Sequence, residues 1–167
     1  LRLGNRATPD NIKRERERMG LNDPIPVRYF NYVGGVLKGD FGDSYHYQGR
    51  SVLEIVRPRL WVSMQLNIAA LIVAVSIGLP LGFYAAKKQG TARDPAIVIS
   101  MLVLYAMPVF FTAPFLILFF AVKLHWVPAS GWGGFFSLQI ILPALTIGIP
   151  GAAVFVRFMR ASTLDVI

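Results

Sequence analysis

The sequence contains no cysteine, which removes disulfide frameworks, thiolate nucleophiles and cysteine-based metal sites at the outset. Histidine is nearly as scarce. His46 and His125 stand far apart and without a neighbouring carboxylate pattern, so nothing points to a dedicated metal centre. Charge is thin over most of the chain: residues 60–167 hold 6 Lys/Arg and 2 Asp/Glu, against 11 and 7 in residues 1–59. No paired intramembrane carboxylates, Ser/His dyad or His-Glu-x-x-His motif occurs, so an intramembrane enzyme or proton pump finds none of the groups it needs. Leu1 to Leu3 is not followed by the apolar run of a secretory signal, and with no initiator Met the true N-terminus is expected elsewhere.

What remains is strongly apolar. Of 167 residues 54% are hydrophobic and 16% charged, and the mean hydropathy is +0.52. A water-soluble domain of this size is rarely so apolar, so the composition reads as a membrane protein. The net charge of +8 does not indicate nucleic acid, because no basic stripe interleaved with aromatics stands clear of the acidic residues in the front section.

Three stretches are free of formal charge and long enough to cross a bilayer. Leu60 to Ala86 lies between Arg59 and the pair Lys87 and Lys88. As a helix it is about 40 Å long, against a hydrocarbon core of about 30 Å. A second run, Pro95 to Val122, follows a basic turn from Lys87 to Asp94, with Asp94 expected as N-cap and Pro95 as the first helical residue. The third run contains His125, Pro128, Gly131, Gly133 and Gly134, so it is expected to open as a loop, with Trp126 and Trp132 at headgroup level, before a span over 139–156. The chain therefore divides into a polar segment, 1–59, and a membrane core, 60–167, with spans at about 60–86, 95–122 and 139–156. Charge counting near the span ends is balanced; the shortness of the basic turn favours placing it on the cytoplasmic side.

The polar segment reads as short helices. Thr8 before Pro9 caps a helix to Met19, with Gly20 as its left-handed stop and a turn at Asn22, Asp23 and Pro24. Tyr29, Phe30, Val33 and Leu37 recur at helical spacing up to Gly39. Ser51 and Glu54 form a capping box, and Pro58 is expected to limit the interfacial helix it opens. The spacing Gly34 to Gly39 imitates a phosphate loop, but Asp40 stands where lysine is needed and no strand precedes it.

Within the spans, Ala70, Ala74, Gly78, Gly82 and Ala86 recur every fourth residue, a row that lets another backbone come close. Pro80, Pro108, Pro114, Pro143 and Pro150 would each bend a helix, either around a cavity that changes shape or as static kinks. Gln65, Asn67, Ser100, Thr112 and Thr146 are candidate pathway-lining groups, with helix-to-helix hydrogen bonding as the alternative.

Several runs resemble one family. Gly20-Leu21-Asn22-Asp23-Pro24 with Val27-Arg28-Tyr29, Gly39-Asp40-Phe41-Gly42-Asp43-Ser44, Ile77-Gly78-Leu79-Pro80-Leu81-Gly82, Trp126-Val127-Pro128-Ala129-Ser130-Gly131, and Leu142-Pro143-Ala144-Leu145-Thr146 with Arg157 and Arg160-Ala161-Ser162 are similar in order and spacing to permease subunits of the dipeptide/oligopeptide/nickel class of ABC importers. The resemblance implies an all-α, polytopic membrane protein with a type I ABC importer permease fold, in the cell membrane of a prokaryote. It also implies a second permease subunit, two ATPase subunits that bind the ATP, and an extracytoplasmic solute-binding protein. The chain itself would bind no cofactor and catalyse nothing. Against the family's six membrane helices it is expected to be a fragment, with residues 1–59 extracytoplasmic and Arg157 and Arg160 on the approach to the ATPase-coupling loop. A scaffold subunit of another membrane complex is the competing reading, and an intramembrane enzyme a distant third. Residues beyond Ile167 would separate them, since a Glu-Ala-Ala-like loop ending in glycine belongs to the importer.

Overall fold

Long apolar runs broken by glycine and proline leave helix as the backbone's main means of satisfying its own hydrogen bonds. The computed structural model describes residues 8–18, 20–44, 46–47 and 49–166, and these are helical with connecting loops and a single isolated bridge between Asp43 and Ser51. Two units form, residues 1–61 and 62–167.

In the first unit, α1 is Pro9–Arg18 and α2 is Ile25–Leu37. Beyond α1, Leu21 N–H reaches the Arg16 carbonyl at 2.9 Å while Gly20 takes φ 61, a left-handed stop that costs glycine little. Met19, the expected last residue of this helix, lies outside the described residues. At the end of α2, Gly39 takes φ 82 and its N–H returns to the Val36 carbonyl at 2.9 Å. The chain then folds back on itself, with Ser44 N–H on the Arg50 carbonyl and Val52 N–H on the Gly42 carbonyl, each at 2.9 Å.

The third helix, α3, is Val52–Lys87. Its start differs from expectation. Ser51 Oγ accepts the Glu54 N–H at 3.1 Å and opens a helix that runs through Pro58 into the apolar run without a stop. Pro58 removes only the N–H that would have reached the Glu54 carbonyl, and the bonds on either side carry the helix on.

In the second unit α4 is Arg93–Ala106 and α5 is Val109–Leu116, continued by a π-helical segment, Ile117–Lys123. The span expected over 95–122, with Pro108 expected to bend it, is broken at that proline into two helices. Pro108 disfavours helical backbone at Met107, which is extended at ψ 124, and the two halves meet at 96°. Pro80 and Pro150, in contrast, lie inside helices that continue past them. The start of α4 also departs from expectation: Ala92 precedes the helix with no side-chain cap, because the Asp94 carboxylate is engaged elsewhere. A short 3-10 turn, Leu138–Ile140, leads into α6, Ile141–Leu164, which carries the helix past Val156 to include Arg157 and Arg160.

Helix α6 is the centre of this unit and packs on both α4 and α5. It also runs along α3. Ala70 faces Gly148, Ala74 faces Gly151, Gly78 faces Ala152 and Gly82 faces Val156, so the numbers rise together and the two helices are parallel. Among the described residues two helices, Val52–Lys87 and Leu138–Leu164, are long and apolar enough to cross a membrane, and the bent pair Arg93–Ala106 with Val109–Lys123 qualifies as a third if taken as one span.

Candidate functional site

The small residues of α3 set the closest helix contact. Ala70, Ala74, Gly78, Gly82 and Ala86 are all buried, joined by Ala85. A Cβ on Gly78 would run into the Phe155 Cβ and stand 2.9 Å from the Ala152 carbonyl oxygen. One on Gly82 would stand 2.6 Å from the Val156 carbonyl oxygen. The seam is reciprocal, since a Cβ on Gly148 would stand 2.7 Å from the Ala70 carbonyl oxygen. Each glycine therefore admits the opposite backbone into space that a side chain would occupy.

On another side of α6 the break at Pro108 holds α4 and α5 apart. A cleft of about 360 Å³ opens there, walled by Leu104, Met107, Phe111, Thr112, Thr146 and Pro150 among others. A second, of about 250 Å³, lies between α5, the loop at Pro128 to Gly131 and the start of α6, with Gln139 and Thr146 in its wall. Thr146 borders both. Of the five candidate pathway residues the fold brings Thr112 and Thr146 into one cleft; Gln65, Asn67 and Ser100 border neither.

Most of these polar groups are turned back on their own helix. Thr146 Oγ1 donates to the Leu142 carbonyl at 2.7 Å, Ser100 Oγ to the Ala96 carbonyl at 2.7 Å and Asn67 Nδ2 to the Ser63 carbonyl at 2.7 Å. Thr112 Oγ1 bonds the Val109 carbonyl more loosely, at 3.3 Å. Such bonding leaves the helix polar groups satisfied and the cleft walls mostly apolar. Gln65 differs, because its Oε1 is buried and finds no hydrogen-bond partner among the described residues.

A pair of charges was missed by reading each residue alone. Asp94, expected to cap α4, is buried and instead accepts two hydrogen bonds from Arg160 of α6: Nε to Oδ1 at 2.6 Å and Nη2 to Oδ2 at 2.7 Å. The parallel bidentate fork is the strong form of this contact. A signal was present in the sequence, since Asp94 is the sole acidic residue between Glu54 and Asp165 and a lone carboxylate among apolar spans needs a cation. Arg157, one helical turn earlier, lies exposed with its guanidinium 5.9 Å from the centre of the Tyr105 ring. At the first residue of α4, Arg93 Nη1 donates to the Tyr84 hydroxyl at 3.1 Å.

Known proteins with similar sequences agree on one setting. The family model described as "Binding-protein-dependent transport system inner membrane component" matches residues 78–167. The oligopeptide transport system permease protein OppB of Escherichia coli (strain K12) is 35% identical over 98% of this chain and 54% of its own length. A probable peptide ABC transporter permease protein, y4tP, of Sinorhizobium fredii is 33% identical over 98% of this chain and 54% of its own. The dipeptide transport system permease protein DppB of Lactococcus lactis is 31% identical over 96% and 52%. The chain thus spans about half the length of the curated relatives it matches. A helical membrane core with a glycine-lined seam and a broken helix fits that setting, and the chain belongs to the family of binding-protein-dependent transport system inner membrane components.

Proposed function

We propose that this chain is part of a permease subunit of an ATP-driven importer, forming a portion of the membrane pathway for peptides or similar small solutes handed over by a solute-binding protein. The observation that carries the reading is its 35% identity, over nearly its whole length, to a permease of oligopeptide transport. The geometry supports it. A rigid α3–α6 seam stands beside a helix broken at Pro108, and the break opens clefts bordered by Thr112 and Thr146, so one wall is fixed while the facing one is jointed. In this reading the walls are mostly apolar with few hydrogen-bonding groups, which lets a polar solute pass without being held tightly.

The partners are a second permease subunit, two ATPase subunits that bind and hydrolyse ATP, and an extracytoplasmic binding protein. No catalytic group or cofactor is assigned to this chain. Residues 1–59 are extracytoplasmic, the Lys87 to Asp94 turn is cytoplasmic, and Arg157 and Arg160 lie on the approach to the surface that meets an ATPase. The test is uptake into vesicles holding the full complex and its binding protein, with ion gradients collapsed and ATP inside. Uptake should persist under these conditions and stop without ATP. Uptake that survives ATP removal and vanishes when gradients collapse overturns the reading.

A further inference from the structure

We propose that α2 lies in the membrane interface, with the face formed by Ile25, Tyr29, Val33 and Leu37 turned to lipid. At 3.6 residues per turn these four fall on one side of the helix together with Tyr32 and Val36, while Arg28, Asn31 and Gly35 fall on the other. The chain's own return reaches the polar side at Gly35, where the Asp40 carbonyl oxygen stands 3.1 Å from the place of a Cβ, and leaves Arg28 and Asn31 exposed. Among the described residues little covers the apolar side, where Val33 and Val36 are half-buried and the rest exposed. No residue of α2 is buried, and Ile25, Tyr29 and Leu37 are 79%, 63% and 83% exposed.

Length and charge select the occupant. Thirteen residues make a helix of about 20 Å, too short for a hydrocarbon core of about 30 Å but suited to lying flat on one. Arg28 is the helix's single charge, and the rings of Tyr29 and Tyr32 combine an apolar body with a polar tip, as headgroup-level side chains do. Position is the independent argument. Within the first unit the chain after α2 doubles back through the Asp43–Ser51 bridge and the Gly42 carbonyl bond to Val52, the first residue of a helix long and apolar enough to span. Helix α2 is therefore tethered close to the point where the chain enters the bilayer, where lipid is the continuous apolar phase.

The inference rests on the membrane placement of α3, and the experiment reads that placement separately. These residues hold no native cysteine, so nitroxide labels are attached singly at Tyr29→Cys, Leu37→Cys, Asn31→Cys and, on the exposed lipid-length face of α3, Leu71→Cys, in the full-length complex in vesicles. Collision with dissolved oxygen, which concentrates in lipid, is compared with collision with a water-soluble nickel chelate. The expected result is an oxygen-to-nickel ratio several-fold higher at 29 and 37 than at 31, approaching that at 71. Nickel-dominated collision at 29 and 37, with 71 still oxygen-dominated, places α2 in water and overturns the inference alone. Exclusion of both reagents at 29 and 37 means that a protein partner covers the face, which also overturns it. A nickel-dominated label at 71 removes the membrane placement on which it depends.

Discussion

Arg160 holds Asp94 through two parallel hydrogen bonds of 2.6 and 2.7 Å, joining the last turns of α6 to the first turn of α4 across 66 residues of sequence. The contact needs the planar fork of arginine, so Arg160→Lys is expected to lower the melting temperature of the purified complex although the charge is kept. Asp94→Asn, which leaves the guanidinium without its anion, is expected to lower it further. Restoring the pair in reverse, with Asp94→Arg and Arg160→Asp together, should recover part of the loss, and a strictly additive double variant would show that the two residues do not act as a pair.

Gly78→Leu should disrupt the seam. Even a Cβ there meets Phe155 and the Ala152 carbonyl, and overpacking of this kind costs about 1 to 3 kcal/mol. The full-length complex should assemble in lower yield, read by size-exclusion chromatography. Gly34→Ala in α2 is the matched control, because nothing lies within 4 Å of the added carbon. It should be neutral or stabilising by about 0.5 to 1 kcal/mol, the ordinary gain of alanine over glycine inside a helix.

Pro108→Ala should relieve the constraint that keeps Met107 extended and let α4 and α5 approach one continuous helix. Insertion and yield are expected to stay near normal while ATP-dependent uptake falls, since the clefts beside α6 exist because the helix turns there. Unchanged uptake would mean that the joint is dispensable.

The sidedness is open to a thiol test. Gln89 is exposed in the basic turn and Lys38 is exposed at the end of α2, whereas Ser44 is buried and unsuitable as a probe. In intact cells an impermeant reagent should label Lys38→Cys and spare Gln89→Cys. The opposite pattern would invert the topology.

The composition made the helical membrane character readable, because apolar runs of this length have few other ways to satisfy their backbone. The row from Ala70 to Ala86 is also readable, since a helix repeats its face about every four residues and small size has a direct geometric meaning. What escaped were choices between two legitimate partners. Asp94 has the sequence neighbours of a helix cap, and only the fold brings Arg160 near enough to take its carboxylate. Prolines posed the same problem. Pro58, Pro80, Pro108 and Pro150 carry the same local chemistry, yet the chain breaks at Pro108 and helices run through the others. Local sequence alone does not contain that choice.

The α3–α6 seam has a mechanical consequence. Its closest contacts set glycines mostly against backbone and Cβ atoms of the facing helix, which do not move with side-chain rotamer, so a push at one end meets little slack before it reaches the other. The bend at Met107 and Pro108 is held by one residue's torsions and is the compliant element. The second unit is thus a stiff strut beside a soft elbow, and displacement arriving at Arg160 would be spent on flexing α4 against α5 sooner than on sliding α3 along α6.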